Sequence, residues 1–209
     1  MRVSNLVLLV GLCGALAGCS VQPPPAKVSY LLSVEPDGQT AIAALPDGCL
    51  RLRSVGVQSP FSGLSLIYRT GEVTYEKDYY NQFLVAPDKQ LNDLLARRLS
   101  SAGIAICADG MDASEKRLTL EPHLEALYAD FRTPAAPLAV VKMRFVLIRY
   151  ERSCRCSSIL LDQTFQSSVP LPPAADAPVI VETMSTAVKN VLRDFEAALR
   201  RAFEDTDHD

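Results

Sequence analysis

Residues 116–131, "KRLTLEPHLEALYADF", alternate between apolar and polar side chains and decide the fold class. A period of two is typical of a β-strand with one buried face and one solvated face. We therefore predict a long strand that keeps one parity in the core and the other in water. The predicted core parity carries Leu118, Leu120, Leu124, Ala126 and Tyr128, and the polar parity carries Arg117, Thr119, Glu121, His123 and Glu125.

The next segment, residues 138–150 ("LAVVKMRFVLIRY"), repeats this alternation. Val141, Met143, Phe145 and Leu147 share one parity, opposite to Lys142 and Arg144. A third strand is predicted at residues 157–169, after the turn "ERSCRCSS". Three consecutive strands with short connections indicate an antiparallel meander.

Shorter strands are predicted before the meander. They cover residues 28–34, 50–58, 66–68, 73–75 and 104–107. The strands at 66–68 and 73–75 are joined by "RTG", and a connection that contains glycine between β-rich flanks favours a hairpin.

Two segments have helical periodicity instead. Residues 88–102 place leucines at helical spacing and are followed by Gly103 as a C-terminal cap, and we interpret Arg97 and Arg98 there as a solvated face. Residues 179–204 carry a continuous apolar stripe. The predicted fold is one α+β domain at residues 28–204, a mainly antiparallel sheet with two helices packed on one face, followed by a frayed tail at 205–209.

The N-terminus reads as an export signal. An apolar run at residues 6–17 is shorter than the roughly 20 residues that span a bilayer, and "LAGCS" at 16–20 looks like the lipobox of bacterial lipoproteins. This interpretation makes residues 1–18 a signal peptide and Cys19 the acylated N-terminus. Residues 19–27, with three consecutive prolines, form a tether that reaches about 25–30 Å when extended. An ordinary secretion signal cut elsewhere is the alternative.

Four other cysteines follow the leader: Cys49, Cys107, Cys154 and Cys156. An even number in an exported chain indicates disulfides, with three connectivities open. We predict a bond between Cys49 and Cys107, because one precedes a strand and the other ends a strand, so both lie at one end of the sheet. The sequence does not decide whether Cys154 and Cys156 form a disulfide or stay as free thiols.

Several function classes are disfavoured. The chain has 21 basic and 24 acidic residues, which argues against a nucleic-acid partner. Its two histidines, His123 and His208, are not accompanied by a Gly-x-Ser-x-Gly motif, and no phosphate-binding loop of an ATPase is present. We predict no enzyme activity, no cofactor and no metal site.

An aromatic cluster precedes the first predicted helix. Aromatic side chains offer a large contact area at low entropic cost, so these residues are candidates for partner contact. Core or loop packing is the alternative interpretation. The candidates are Tyr75, Tyr79, Tyr80 and Phe83.

Several blocks together resemble the ABC-type transport auxiliary lipoprotein family, the PqiC/YmbA-like outer-membrane lipoproteins. These blocks are "SYLLSV", "LRLRSVGVQ", "LIYRTGEVTYEKDYYNQFLVAP", "LNDLLARRLSSAGI" and the long final helix. Ile67-Tyr68-Arg69, followed by the segment 79–83 ("YYNQF"), is the most specific part.

The resemblance implies a periplasm-facing component of an intermembrane lipid transport system, held to the outer membrane by lipid on Cys19. Its implied partners are an MCE-domain protein and the ABC permease and ATPase. Homo-oligomerisation is a further expectation, because an oligomeric MCE partner would offer equivalent contacts to every subunit. The alternative is a lipid-anchored envelope-assembly or ligand-binding module unrelated to transport.

Overall fold

The computed structural model describes residues 26–34, 49–107 and 116–206. The predicted signal peptide at 1–18, Cys19 and residues 207–209 lie outside these ranges. Within these described ranges the domain has two α-helices, eight strands and one 3-10 helix (Ser59–Phe61). In chain order the strands and α-helices are β1 (Val28–Tyr30), β2 (Leu50–Leu52), β3 (Gly56–Val57), β4 (Ser65–Arg69), β5 (Tyr75–Phe83), α1 (Pro87–Ser101), β6 (Lys116–Asp130), β7 (Leu138–Glu151), β8 (Cys156–Pro170) and α2 (Ala177–Thr206).

The sheet is organised around β6. Strand β7 pairs antiparallel with β6 over its full length, and β8 pairs antiparallel with β7. The other edge of β6 is shared by β2, β3 and β4, all parallel to it. Beyond β4 the sheet continues through antiparallel β5 to parallel β1. This arrangement confirms the predicted α+β class with a mainly antiparallel sheet.

A β-bulge in β6 changes which side chains reach the core. Its pairing with β7 shifts register between Leu124 and Ala126. Before the bulge Leu120 and Leu124 of the predicted parity are buried and Leu118 is half-buried. After the bulge Leu127 and Ala129 are buried instead, and Tyr128 is half-buried. The prediction of one dry parity along the whole strand is therefore wrong for its second half, because an extra residue reverses the alternation.

Both helices pack against one face of the sheet and share its hydrophobic core. Phe145 of β7 and Phe195 of α2 stack with ring centroids 3.9 Å apart. The opposite face, which we call the outer face, is polar: it carries ion pairs between Lys142 and Glu125 and between Arg144 and Asp162. Among the described residues, no helix has the length and apolar character of a membrane span.

An ion pair also joins the two helices. Arg98 of α1 is 5% exposed and binds Glu196 of α2 with both its Nε and Nη2 atoms. The interpretation of Arg98 as part of a solvated face is wrong, because its position on the leucine stripe turns it toward α2. Its neighbour Arg97 is exposed, as expected.

The short strands depart most from prediction. The predicted strand at 50–58 is two strands, β2 and β3, and the segment 104–107 contributes a single bridge from Ile106 to Leu50. The hairpin is present, but its second strand runs from Tyr75 to Phe83. At the C-terminus α2 continues to Thr206, so the tail predicted from residue 205 starts inside the helix.

Candidate partner-contact surface

The centre of the candidate surface is an irregularity in the β4–β5 hairpin. Ile67 pairs with Lys77, but Ser65 already pairs with Gln82, so β5 holds several residues without partners on β4. These residues, 78–81, bulge from the ladder. A bulge of this kind redirects side chains away from the face they would otherwise occupy.

Asp78 holds the bulge in shape. One carboxylate oxygen accepts the backbone N–H groups of Tyr80 and Asn81, at 2.8 and 2.9 Å. The other accepts the Tyr68 hydroxyl at 2.7 Å and the Asn81 side-chain amide at 2.9 Å. Four donors on one carboxylate fix the backbone of the turn, in the way that aspartate side chains commonly organise turns.

These contacts shift two pKa values in opposite directions. Burial alone would raise the pKa of Asp78, but the hydrogen bonds from Tyr68, Asn81 and Tyr80 outweigh it, and the pKa lies below its usual value. Burial and the hydrogen bond to Asp78 raise the pKa of the Tyr68 hydroxyl. At neutral pH the bulge is therefore held by a carboxylate and a neutral phenol.

Tyr79 and Tyr80 project from this bulge. They are 68% and 39% exposed, and their rings meet edge to face with centroids 5.1 Å apart. The ammonium group of Lys27 lies 4.4 Å from the centre of the Tyr79 ring, within cation–π range. Two large aromatic side chains thus stand in solvent beside the point where the predicted tether enters the domain.

The other two aromatic candidates lie elsewhere. Phe83 is 2% exposed and belongs to the hydrophobic core, so its prediction as a partner-contact residue is wrong. Its backbone N–H donates to Leu64, and β-sheet pairing at the end of β5 turns the side chain inward. Tyr75 is 44% exposed, slightly more than Tyr80, but its ring packs against Phe61 and Tyr128 and not against the Tyr79–Tyr80 pair. The structure therefore brings only two of the four candidates, Tyr79 and Tyr80, together in solvent.

Exposed apolar side chains accompany the tyrosine pair. They lie on β1, immediately after it, and at the end of β5, where Leu84 donates its N–H to the Tyr30 carbonyl. A concentration of exposed apolar residues is a common mark of an interaction site. We call this set the edge surface: Val28, Leu31, Tyr79, Tyr80, Leu84 and Val85.

The chain after β1 is fixed to both helices. The Leu32 N–H donates to the buried side chain of Gln90 on α1, at 2.8 Å. The Ser33 N–H donates to the hydroxyl of Ser185 on α2, at 3.0 Å. These contacts tie the edge surface to the rest of the domain. No local sequence pattern predicts them, because each joins residues far apart in the chain.

The four cysteines form two disulfides. Cys49 bonds to Cys107, the predicted pair, and Cys154 bonds to Cys156 within the β7–β8 turn. The first disulfide lies where Leu50 forms backbone hydrogen bonds with Ala105 and Cys107. The second leaves Arg155 with a positive φ of 53°.

Sequence reasoning selected the tyrosines but missed Asp78. A signal was present, since aspartate followed within three residues by polar and aromatic residues in a β-rich segment is compatible with a side-chain-stabilised turn. This pattern is too common in sequences to identify a turn unless the bulge in the strand pairing is already known. Gln90 and Ser185 carried no comparable signal.

Comparison with known proteins identifies relatives in fold. The sequence matches no family model and no curated protein. Protein XCC0632 from Xanthomonas campestris, described as family-model DUF330, has a TM-score of 0.69 at 12% identity, over 87% of this chain and 100% of that chain. An uncharacterized protein gives 0.55 at 17% identity, over 82% of this chain and 99% of that chain.

A third structure, the hypothetical protein CT253 from Chlamydia trachomatis, gives a TM-score of 0.51 at 9% identity, over 75% of this chain and 97% of that chain. Each of these proteins is matched over nearly its full length, so the likeness extends over the whole domain. Identities this low show a shared fold and leave function to be argued from the site. In fold, this chain is similar to a DUF330 protein.

Proposed function

We propose that this protein is a non-catalytic, lipid-anchored component of an MCE/ABC-type intermembrane lipid transport system, attached to the outer membrane and facing the periplasm. The observation that carries the proposal is the outward-facing pair Tyr79–Tyr80, held by Asp78 beside the start of the domain. The lipobox-like leader and the resemblance to auxiliary lipoproteins support it.

The edge surface has the chemistry of a protein-contact site. Tyrosine is enriched among residues that dominate binding energy, because its ring buries a large area while its hydroxyl keeps a hydrogen-bond partner. The Asp78 hydrogen bonds fix the backbone of the bulge that carries both rings before binding, which lowers the entropic cost of association. An MCE-domain protein is the partner we assign to this surface.

The proposal is tested by replacing both tyrosines with serine, Tyr79→Ser and Tyr80→Ser, in the full chain. Loss of two aromatic contacts should weaken association by about 1–3 kcal/mol, or roughly 5-fold to 150-fold. The measurement is co-purification of the MCE-domain protein from detergent-solubilised envelope, with thermal melting of the purified variant alongside. The melting temperature should stay close to that of the unmodified protein.

Val73→Ser provides a matched control, since Val73 is 91% exposed on the β4–β5 hairpin and lies outside the edge surface. It should capture partner normally. Unchanged capture by the tyrosine variant with a lowered melting temperature would make these side chains packing residues and defeat the proposal. Loss of self-association alone, measured by sedimentation, would assign the surface to a second copy of the chain.

A further inference from the structure

A cluster of arginines lies on the outer face of the sheet, at the end where β6 begins. It lines a shallow cavity of about 200 Å³ between β2, β6 and β7. This cavity is separate from the edge surface, which belongs to β1 and β5. The lining residues are Arg51, Arg53, Arg117, Thr119, Glu121 and Tyr150.

Strand pairing brings these side chains together. Arg51 lies opposite Thr119 in the parallel pairing of β2 with β6, and the N–H of Arg53 donates to Leu120. Arg117 lies opposite Tyr150, with its guanidinium carbon 4.9 Å from the centre of the ring. Neighbouring strands are about 4.8 Å apart, so three long arginine side chains on one face reach a common point.

The charges in the cavity are not balanced. Arg51 and Arg53 share the cavity with one carboxylate, that of Glu121, whereas Arg117 is already engaged with other groups. Within the described part of the chain, neither Arg51 nor Arg53 has a side-chain hydrogen bond or an ion pair. By contrast, Arg144 on the same face is fully engaged with Asp162, at 2.7 and 2.6 Å.

Arg51 and Arg53, which converge on the cavity without partners among the described residues, are suited to one class of ligand. The guanidinium group is planar and presents parallel N–H donors that match the oxygens of a phosphate group. Thr119 and Tyr150 line the same cavity, and each side chain carries a neutral hydroxyl that can form hydrogen bonds. Lysines would supply charge without this planar geometry, and none lines the cavity.

We propose that this cavity binds a phosphate group, with Arg51 and Arg53 as its principal donors and Arg117 positioned by the Tyr150 ring. The phosphate belongs either to a phospholipid headgroup or to a free phosphate. The site does not depend on the proposed partner contact, because it uses a different face and different strands.

The test is isothermal titration calorimetry of the purified full chain in a non-ionic detergent. Two probes distinguish the sources: inorganic phosphate, and dihexanoyl phosphatidylglycerol below its micelle concentration. We expect saturable binding that weakens as NaCl is raised. Tighter binding of the lipid assigns the site to a headgroup, and equal or tighter binding of inorganic phosphate assigns it to the free ion.

The double variant Arg51→Ala and Arg53→Ala should lower the affinity at least about tenfold, because it removes two charge-assisted donors. The double variant Arg51→Lys and Arg53→Lys keeps the charge but loses the planar donors. Its affinity should therefore lie between that of the unmodified protein and that of the alanine variant. The matched control is Arg97→Ala with Arg193→Ala, which removes two exposed arginines from the helices.

This control should bind like the unmodified protein. Equal losses in the control and the cavity variant would reveal a non-specific charge effect and overturn the proposal. The proposal would also be overturned if neither probe bound the unmodified protein, or if a correctly folded cavity variant bound the probes as well as the unmodified protein does.

Discussion

Arg98 and Glu196 form a nearly enclosed ion pair between the two helices. Their side chains are 6% and 12% exposed, and the two Nε–Oε1 and Nη2–Oε2 distances are 2.6 and 2.9 Å. Both hydrogen bonds run parallel, the geometry in which arginine binds carboxylates most strongly. The pair joins residues 98 positions apart and therefore fixes how α1 sits against α2.

We expect Arg98→Ala to lower the free energy of unfolding by about 3 kcal/mol, because it leaves the Glu196 carboxylate in a poorly solvated position. Arg97→Ala is the matched control: the same substitution one residue earlier, on the exposed side of α1, should change stability by less than about 0.5 kcal/mol. Chemical denaturation of both variants measures the difference. Similar values for the two would contradict the structural role assigned to Arg98.

The sequence placed Arg98 correctly but not its environment. Helical spacing put it on the same stripe as Leu95 and Leu99, which already pointed inward. An arginine on such a stripe needs a partner, and that partner lies on a helix much later in the chain. No local pattern indicates which acidic residue it will be, so the default interpretation was a solvated surface.

At the scale of elements, length decided what could be predicted. Strands β6, β7 and β8 each extend over many residues, so their alternation stands out from the background and their order follows from short connections. The two strands β2 and β3 are only three and two residues long, and their positions depend on pairing with β6. The bulges in β6 and β5 were also not predicted from the sequence, because each bulge depends on the register of a partner strand.

The two disulfides differ in the elements that they join. Cys49–Cys107 closes a segment with a sequence separation of 58 residues and ties the start of β2 to the chain after α1. Cys154–Cys156 spans a separation of 2 within one turn. The loop-entropy model gives about 4 kcal/mol for the first and about 1.5 kcal/mol for the second.

We therefore expect Cys49→Ser with Cys107→Ser to lower the midpoint of unfolding much more than Cys154→Ser with Cys156→Ser. Each double variant removes one bond and leaves no unpaired thiol, so each is the control for the other. Denaturant titration without reductant measures both. Equal effects, or a larger effect of the turn disulfide, would show that the long segment is held by packing rather than by its cross-link.

On the scale of the whole molecule, the sheet separates three surfaces. One face is covered by the helices, the outer face carries the arginine cavity, and the β1–β5 end carries the edge surface. The residues before β1 lead into this end, where Lys27 already contacts Tyr79. An anchor on Cys19 would therefore hold the edge surface within about 30 Å of the lipid, the extended reach of the tether.

The substitution Cys19→Ala tests the proposed anchor. The variant should lose acylation, because the thiol proposed to receive the lipid is absent, and should leave the outer-membrane fraction. Anchoring by acyl chains depends on roughly 0.8 kcal/mol for each buried CH₂ group, so loss of the chains removes the membrane affinity. Density-gradient fractionation gives the location, and mass spectrometry of the N-terminal peptide gives the modification.

Cys13→Ala is the matched control, since it removes a cysteine from the same leader without touching the lipobox. It should be acylated and sorted like the unmodified protein. Ser20 follows Cys19, where aspartate is often linked to retention in the inner membrane, so the unmodified protein is expected in the outer membrane. A Cys19→Ala protein that still carries lipid would refute the anchor, whereas an acylated protein in the inner-membrane fraction would refute only the sorting.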